Sequence, residues 1–124
     1  MDRKWKIIFY KDADGKCYVD EFLDTLSEED VGKMEAWIEV LSNEGINSRR
    51  PQTAYLRDDI GELRIMLSRG GTRTLYFFCY RDYIVLTHTF YKRTDKVPDK
   101  EIDRALKYKQ DFLNRYDKDN IGEA

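Results

Sequence analysis

The chain has 124 residues, of which 41% are hydrophobic and 37% charged, a composition that predicts one water-soluble globular domain. No apolar run approaches the roughly 20 residues of a membrane-spanning helix, and the N-terminus lacks the apolar stretch of a secretion signal, so we expect a cytoplasmic protein. Cys17 and Cys79 stand far apart without a metal-binding or redox spacing, which argues against a disulfide framework or a zinc site.

The formal net charge of −2 hides an uneven distribution of charged residues. Residues 1–48 carry 6 Lys/Arg against 12 Asp/Glu, whereas residues 49–96 carry 10 against 5. Eight of those ten basic residues are arginine, whose planar guanidinium suits bidentate contact with phosphate. The pattern indicates a polyanion-binding surface on one face, although solvated surface charges would give the same composition.

The first part of the chain predicts a strand followed by a helical hairpin. Trp5 to Tyr10 is β-branched and aromatic, as strands are. Ser27 is placed to cap a second helix that should stop near Asn43, with Gly45 supplying the left-handed exit. Helical spacing aligns apolar residues on one face of each helix, namely Val19, Phe22, Leu23 and Leu26 in the first and Val31, Met34, Ile38 and Leu41 in the second.

The rest of the chain predicts three strands and a last helix. Alternating or β-branched residues indicate strands at Leu63–Leu67, Thr72–Tyr80 and Tyr83–Phe90. Pro98 opens an amphipathic helix that runs to Tyr116. The sequence therefore predicts an α+β domain over residues 3–116, with a mostly antiparallel sheet of about four strands, an N-terminal helical hairpin and a C-terminal helix. We expect the polar C-terminal tail, 117–124, to be frayed.

The sequence contains no phosphate-binding glycine loop, no nucleophilic triad and no metal-ligand cluster. Basic residues instead converge on the predicted sheet, where hairpin pairing brings Arg73 close to Tyr91 and Lys92. Such a group can hold a phosphodiester and stabilise charge that develops on it during cleavage. His88, the only histidine, alternates with Ile84 and Leu86 and is expected to be a packed, hydrogen-bonded core residue rather than a general base.

Four segments resemble the RelE/ParE superfamily of type II toxins, in particular its phage-derived HigB-like branch. They are Tyr55–Ile65, which contains Glu-Leu-Arg, Thr72–Phe77 with its arginine and aromatic strand, His88–Thr94, and Pro98–Ala105 at the start of the last helix. The four motifs follow one another in the order and spacing of that family, and the resemblance spans about residues 5–116.

The resemblance implies a RelE-like fold and a ribosome-dependent mRNA endoribonuclease, also called an mRNA interferase. In such toxins a 2′-hydroxyl attacks its own phosphodiester without a metal or other cofactor. Carried over by position, the catalytic residues would be Arg64, Arg73, Tyr91 and Lys92, and the RNA-binding residues Arg57, Arg93 and Lys96. The implied partners are mRNA, the ribosome and a helix-turn-helix antitoxin of the HigA-like kind. The alternative is a non-catalytic regulatory module of a mobile element, which uses the same fold to bind protein or RNA.

Overall fold

The computed structural model describes residues 4–124, so Arg3, the first residue of the predicted domain, lies outside the described residues. The order of elements confirms the α+β class, the helical hairpin and the C-terminal helix. The elements are β1 (Lys6–Phe9), α1 (Tyr18–Leu23), α2 (Glu28–Glu44), β2 (Thr53–Arg57), β3 (Ile60–Leu67), β4 (Gly70–Cys79), β5 (Tyr83–Tyr91) and α3 (Asp99–Arg115), with short 3-10 turns at Gly45–Asn47 and Ile121–Glu123.

The strands form one mixed sheet in the order β1-β5-β4-β3-β2. β1 runs parallel to β5, and the other three pairings are antiparallel. The sheet has five strands, and the prediction of about four missed β2. This edge strand is only five residues long and carries polar and exposed side chains, so it lacks the alternation that marks a half-buried strand.

Helices cover both faces of the sheet. The α1–α2 hairpin packs on one face and α3 on the other, and each interface has its own apolar core. The hairpin-side core includes Val19, Met34, Leu41, Leu63, Ile65 and Leu86. The α3-side core includes Ile60, Leu75, Phe77, Ile102, Ala105 and Phe112. Burial of these side chains between layers is the main force that fixes which residues of each strand face α3.

The ends of α2 form as the sequence predicts. The Ser27 hydroxyl accepts a hydrogen bond from the Asp30 backbone N–H at 3.2 Å, which satisfies one free donor of the first turn. Gly45 leaves the helix at φ +54°, a conformation that favours glycine. A side chain at Gly45 would also overlap the Trp5 indole, so close packing reinforces the same requirement.

The C-terminal tail is ordered against the domain, and the expectation that it is frayed is wrong. Ile121 is 2% exposed and joins the α3-side core, while Asn120 and Asp117 form a hydrogen-bonded turn before it. One apolar residue in a polar segment is enough to anchor it.

Within residues 4–124, no helix combines the length and apolar character needed to cross a membrane.

Candidate functional site: a cationic cleft beside the last helix

The β3–β4 hairpin places two arginines side by side on the α3 face of the sheet. Arg64 and Arg73 are register partners, and Arg73 is in turn paired with Phe90 of β5. Alternation along β3 puts Arg64 on the same face as Glu62 and the core residue Ile60. The pairing is local and its register is set by the two-residue turn between Leu67 and Gly70. The predicted strands left four residues in this turn, so the pairing of Arg64 with Arg73 comes from the structure.

Glu62 is the buried carboxylate that holds both arginines. It is 3% exposed. Its Oε1 accepts a hydrogen bond from the Arg64 Nε at 2.9 Å and lies 2.8 Å from the Arg64 Nη2. Its Oε2 lies 3.2 Å from the Arg73 Nε, although it takes part in no aligned hydrogen bond. A buried carboxylate needs such partners, and in return it fixes the positions of the two guanidinium groups.

Arg73 is desolvated but retains its role as a cation. It is 8% exposed, and its Nη1 donates to the Thr72 carbonyl at 2.9 Å. Burial lowers the pKa of Arg73 below its usual value, and nearby Arg64 acts in the same direction, while Glu62 opposes both. Arginine keeps its proton in proteins, so the Arg73 guanidinium remains positively charged although it is largely shielded from water. A charge in such a low-dielectric environment interacts strongly with an anion.

Lys92 lies beside Arg73, and the backbone of Gly71, which has no side chain, lies beneath both. The Lys92 N–H donates to the Gly71 carbonyl at 2.8 Å. A Cβ on Gly71 would lie 3.8 Å from the Arg73 Nη1 and 3.9 Å from the Lys92 Cδ, so both side chains pass over this glycine. The Lys92 Nζ lies 3.4 Å from the exposed Asp95 carboxylate, a weak surface pairing.

A cavity of about 300 Å³ opens next to these groups, between the end of β5 and the start of α3. We call the surface formed by Arg64, Arg73, Lys92, Arg93, Lys96 and Lys100 the cationic cleft; all but Arg64 line this cavity. Arg93, Lys96 and Lys100 are exposed and form no ion pair within residues 4–124. The cleft therefore combines two guanidinium groups held by Glu62 with several exposed cations, unpaired in this part of the chain, an arrangement suited to a phosphate backbone.

Two of the expected site residues have side chains engaged away from the arginine pair, although Tyr91 also lines the cavity at the end of β5. The Tyr91 ring is 5.2 Å from the Phe22 ring on the hairpin side of the sheet, and its hydroxyl is buried without a hydrogen-bond partner. Arg57 bonds to Asp58 and Asp103, each at 2.8 Å, and lies 3.7 Å from the Asp99 carboxylate. The predicted roles of both residues remain predictions, and the structure does not bring either side chain to Glu62 and Arg73.

His88 is buried in the core, as expected, but on the other face from that expected. It is 1% exposed, with Nδ1 3.0 Å from the Thr87 hydroxyl and Nε2 3.1 Å from the Glu101 carboxylate. A β-bulge at Thr87 shifts the alternation, so Ile84 and Leu86 face the hairpin while His88 faces α3. Burial, with a smaller contribution from Arg104, lowers the pKa of His88 to about 3, so the ring is neutral near pH 7. In the tautomer that carries the proton on Nε2, the ring donates a hydrogen bond to the Glu101 carboxylate.

Sequence reasoning named no role for Glu62, Gly71, Lys100 or Glu101. For Glu62 a signal exists, because a carboxylate two residues before Arg64 in an apolar strand shares its face. For Gly71, Lys100 and Glu101, the role depends on how α3 packs on the sheet.

Within residues 4–124, no group of three or more His, Cys, Asp or Glu side chains is placed to hold a metal ion.

The fold and the cleft define an α+β domain with a cationic surface built on its sheet. The sequence matches the family described as Phage derived protein Gp49-like (DUF891) over residues 21–110, and the chain belongs to this family. It is a family of RelE/ParE-like toxins, associated with toxin–antitoxin systems, and such a toxin implies an antitoxin partner. The matched region includes every residue of the cleft. A search of curated proteins found no match.

Proposed function

We propose that this protein is the toxin of a type II toxin–antitoxin system and cleaves mRNA on the ribosome. The observation that carries the proposal is the pair Arg64 and Arg73, fixed by Glu62 and flanked by Lys92. Membership in a RelE/ParE-like toxin family supports it. A helix-turn-helix antitoxin of the HigA-like kind is the proposed neutralising partner.

The proposed reaction is an intramolecular transfer that needs no metal ion. The 2′-oxygen of one nucleotide attacks the adjacent phosphorus, the bond from phosphorus to the 5′-oxygen breaks, and a 2′,3′-cyclic phosphate forms. Negative charge builds up on the phosphoryl oxygens during attack, and Arg64 and Arg73 are positioned to stabilise it. The attacking 2′-hydroxyl gives its proton to water, and the Lys92 ammonium is the proposed proton donor to the departing 5′-oxygen, so the step balances without net proton loss. Arg93 and Lys96 bind the flanking phosphates.

Tyr91 and Arg57 can take part in the proposed reaction only if their side chains rearrange. Tyr91 reaches the scissile phosphate only if its ring leaves Phe22 and crosses to the other face of the sheet. Arg57 contacts RNA only if the phosphate competes with Asp58 and Asp103. Either rearrangement has a cost, so Arg64, Arg73 and Lys92 are the residues that the geometry favours.

One observation favours a non-catalytic RNA- or protein-binding module as the second candidate. The only histidine is buried behind the cleft, and the arginine and lysine side chains in the cleft have reference pKa values far above neutrality. Such a cleft binds phosphate well without necessarily cutting it. A module of this kind would retain association with RNA or the ribosome and leave the mRNA intact.

Primer extension on mRNA in a bacterial translation reaction tests the proposal. Wild-type protein is compared with Arg73→Ala and with Arg49→Ala, a matched control whose exposed guanidinium lines a different cavity. We expect new 5′ ends that require ribosomes, disappear with Arg73→Ala and persist with Arg49→Ala. Cleavage of naked RNA alone would remove the ribosome from the proposal, and absence of cleavage by folded wild-type protein would favour the binding module.

A further inference from the structure

The outer edge of β3 is left partly unpaired, because β2 covers only its first half. The Arg64 N–H donates to the Gln52 carbonyl at 2.7 Å, and the Ser68 N–H donates to the Asp30 carboxylate at 3.2 Å. Alternate residues of an antiparallel strand point their backbone groups to the same edge, so Met66 also faces outward. Within residues 4–124, its N–H and C=O have no hydrogen-bond partner, which leaves one donor and one acceptor side by side.

A cavity of about 390 Å³ lies at this edge, and we call it the edge cavity. Lys33 and Trp37 of α2 line it from the hairpin side of the sheet. Arg64, Met66 and Arg73 line it from the α3 side. Because Arg64 and Arg73 belong to the cationic cleft as well, the edge cavity continues that cleft around the edge of the sheet.

The edge cavity carries apolar surface that the fold does not use. Met66 is 65% exposed although it is a large apolar residue within β3, one position before its end. The half-buried Trp37 indole offers a second apolar surface, and the Arg64 guanidinium offers a planar cation. Unpaired nucleobases stack on aromatic rings and guanidinium planes and hydrogen-bond along one edge, so a half-buried indole, a guanidinium and a free backbone N–H and C=O suit an unpaired base.

We infer that the edge cavity binds one unpaired RNA base while the cationic cleft holds the phosphate next to it. The inference rests on the proposed function, because it requires RNA as the ligand of the cleft. The base lies between the Trp37 side and the Arg64 side, and its hydrogen-bonding edge meets the free N–H and C=O of Met66. Recognition of this kind fixes the position of the nucleotide relative to Arg64 and Arg73.

Fluorescence anisotropy with short 2′-O-methyl RNA tests the inference, since this backbone has no 2′-hydroxyl and is not cleaved by 2′-oxygen attack. One probe carries all its bases, and a set of probes carries a single abasic nucleotide at each position in turn. We expect one abasic position to weaken binding by about tenfold, the effect of losing one stacked base. Tryptophan fluorescence should be quenched by the intact probe and less by that abasic probe.

The Met66→Ala variant locates the effect. It should weaken binding of the intact probe several-fold and leave binding of the critical abasic probe unchanged. Ile46→Ala is the matched control, because Ile46 is 69% exposed and lies outside the edge cavity. Equal affinity for all probes, or an equal loss for both probes with Met66→Ala, would overturn the base site alone. Absence of binding by the intact probe at low salt would also overturn the base site, whereas the proposed function is overturned separately, by the absence of new 5′ ends in the primer-extension reaction.

Discussion

Glu62 and Arg73 form the buried centre of the cationic cleft, with 3.2 Å between Oε2 and Nε across neighbouring strands. The other oxygen of the same carboxylate is engaged by Arg64. One acidic side chain therefore orients two guanidinium groups, and within residues 4–124 the Nη2 of Arg73 has no protein partner. The two guanidinium groups are already held in place by Glu62. Their side chains would therefore lose little conformational freedom if a phosphate bound between them.

The first prediction concerns the stability of this centre. Glu62→Gln removes the charge and leaves Arg73 as a buried cation without its counter-ion, and we expect the free energy of unfolding to fall by about 3 kcal/mol. Urea unfolding at neutral pH measures the change. Asp103→Asn is the control, because it removes an exposed carboxylate from Arg57 and should have a much smaller effect. Equal effects of the two changes would show that burial does not set the strength of the Glu62 pairs.

The second prediction concerns pH. The pKa of His88 is lowered from 6.5 to about 3 in the folded protein, so below pH 6.5 the unfolded chain binds a proton that the folded chain does not. Stability is therefore unaffected above pH 7 and falls by about 1.4 kcal/mol for each pH unit below about 6.5. Urea unfolding at pH 7.5, about 5.5 and about 4.5 measures the trend. His88→Gln should flatten it, and an unchanged slope in that variant would assign the trend to other groups.

The third prediction uses Gly71 to neutralise the cleft without a steric clash. A Cβ on Gly71 would make only ordinary contacts with Met66, Arg73 and Lys92, so the position tolerates a side chain. Gly71→Glu should place a carboxylate between the two cations and lower RNA affinity by at least about tenfold. Gly71→Ala should keep affinity within a few-fold of wild type. Binding by anisotropy measures both, and an equal loss in the two variants would indicate a backbone effect.

The fourth prediction tests the assignment of Tyr91. Its hydroxyl is buried without a partner, a state that lowers stability. Tyr91→Phe should therefore keep or slightly raise the melting temperature and retain cleavage in the translation reaction. Phe22→Ala, which removes the packing partner of the ring, should by contrast lower the melting temperature. A loss of cleavage greater than about tenfold in Tyr91→Phe would show that the hydroxyl reaches the scissile phosphate.

The fifth prediction compares a basic residue that has no carboxylate partner in the described part of the chain, Lys96, with one that is surrounded by carboxylates, Arg57. Lys96 forms no side-chain ion pair within residues 4–124, whereas Arg57 is engaged by three carboxylates. Lys96→Ala should reduce the slope of log affinity for single-stranded RNA against log salt by about 0.7, the effect of one lost phosphate contact. Arg57→Ala should leave that slope unchanged. An equal reduction in both variants would restore Arg57 to the RNA-binding surface.

Tyr91 and His88 show where prediction from sequence stops. The hairpins β3–β4 and β4–β5 are local, so their turns and alternation predicted the neighbourhood of Arg73 and the end of β5 correctly. The face of each side chain depends on register, and a shift of one residue moves it to the other side of the sheet. The bulge at Thr87 makes such a shift, and no turn residue or change of composition marks it in the sequence.

The sequence by itself determined the class of the domain, the helical hairpin, the last helix and the closeness of Arg73 to Lys92, because each depends on periodicity and contacts between residues close along the chain. Only the tertiary structure decided the parallel pairing of β1 with β5, the capture of Arg57 by α3 and the unpaired edge at Met66. These features join distant segments, and their geometry follows from how two apolar cores pack on opposite faces of one sheet.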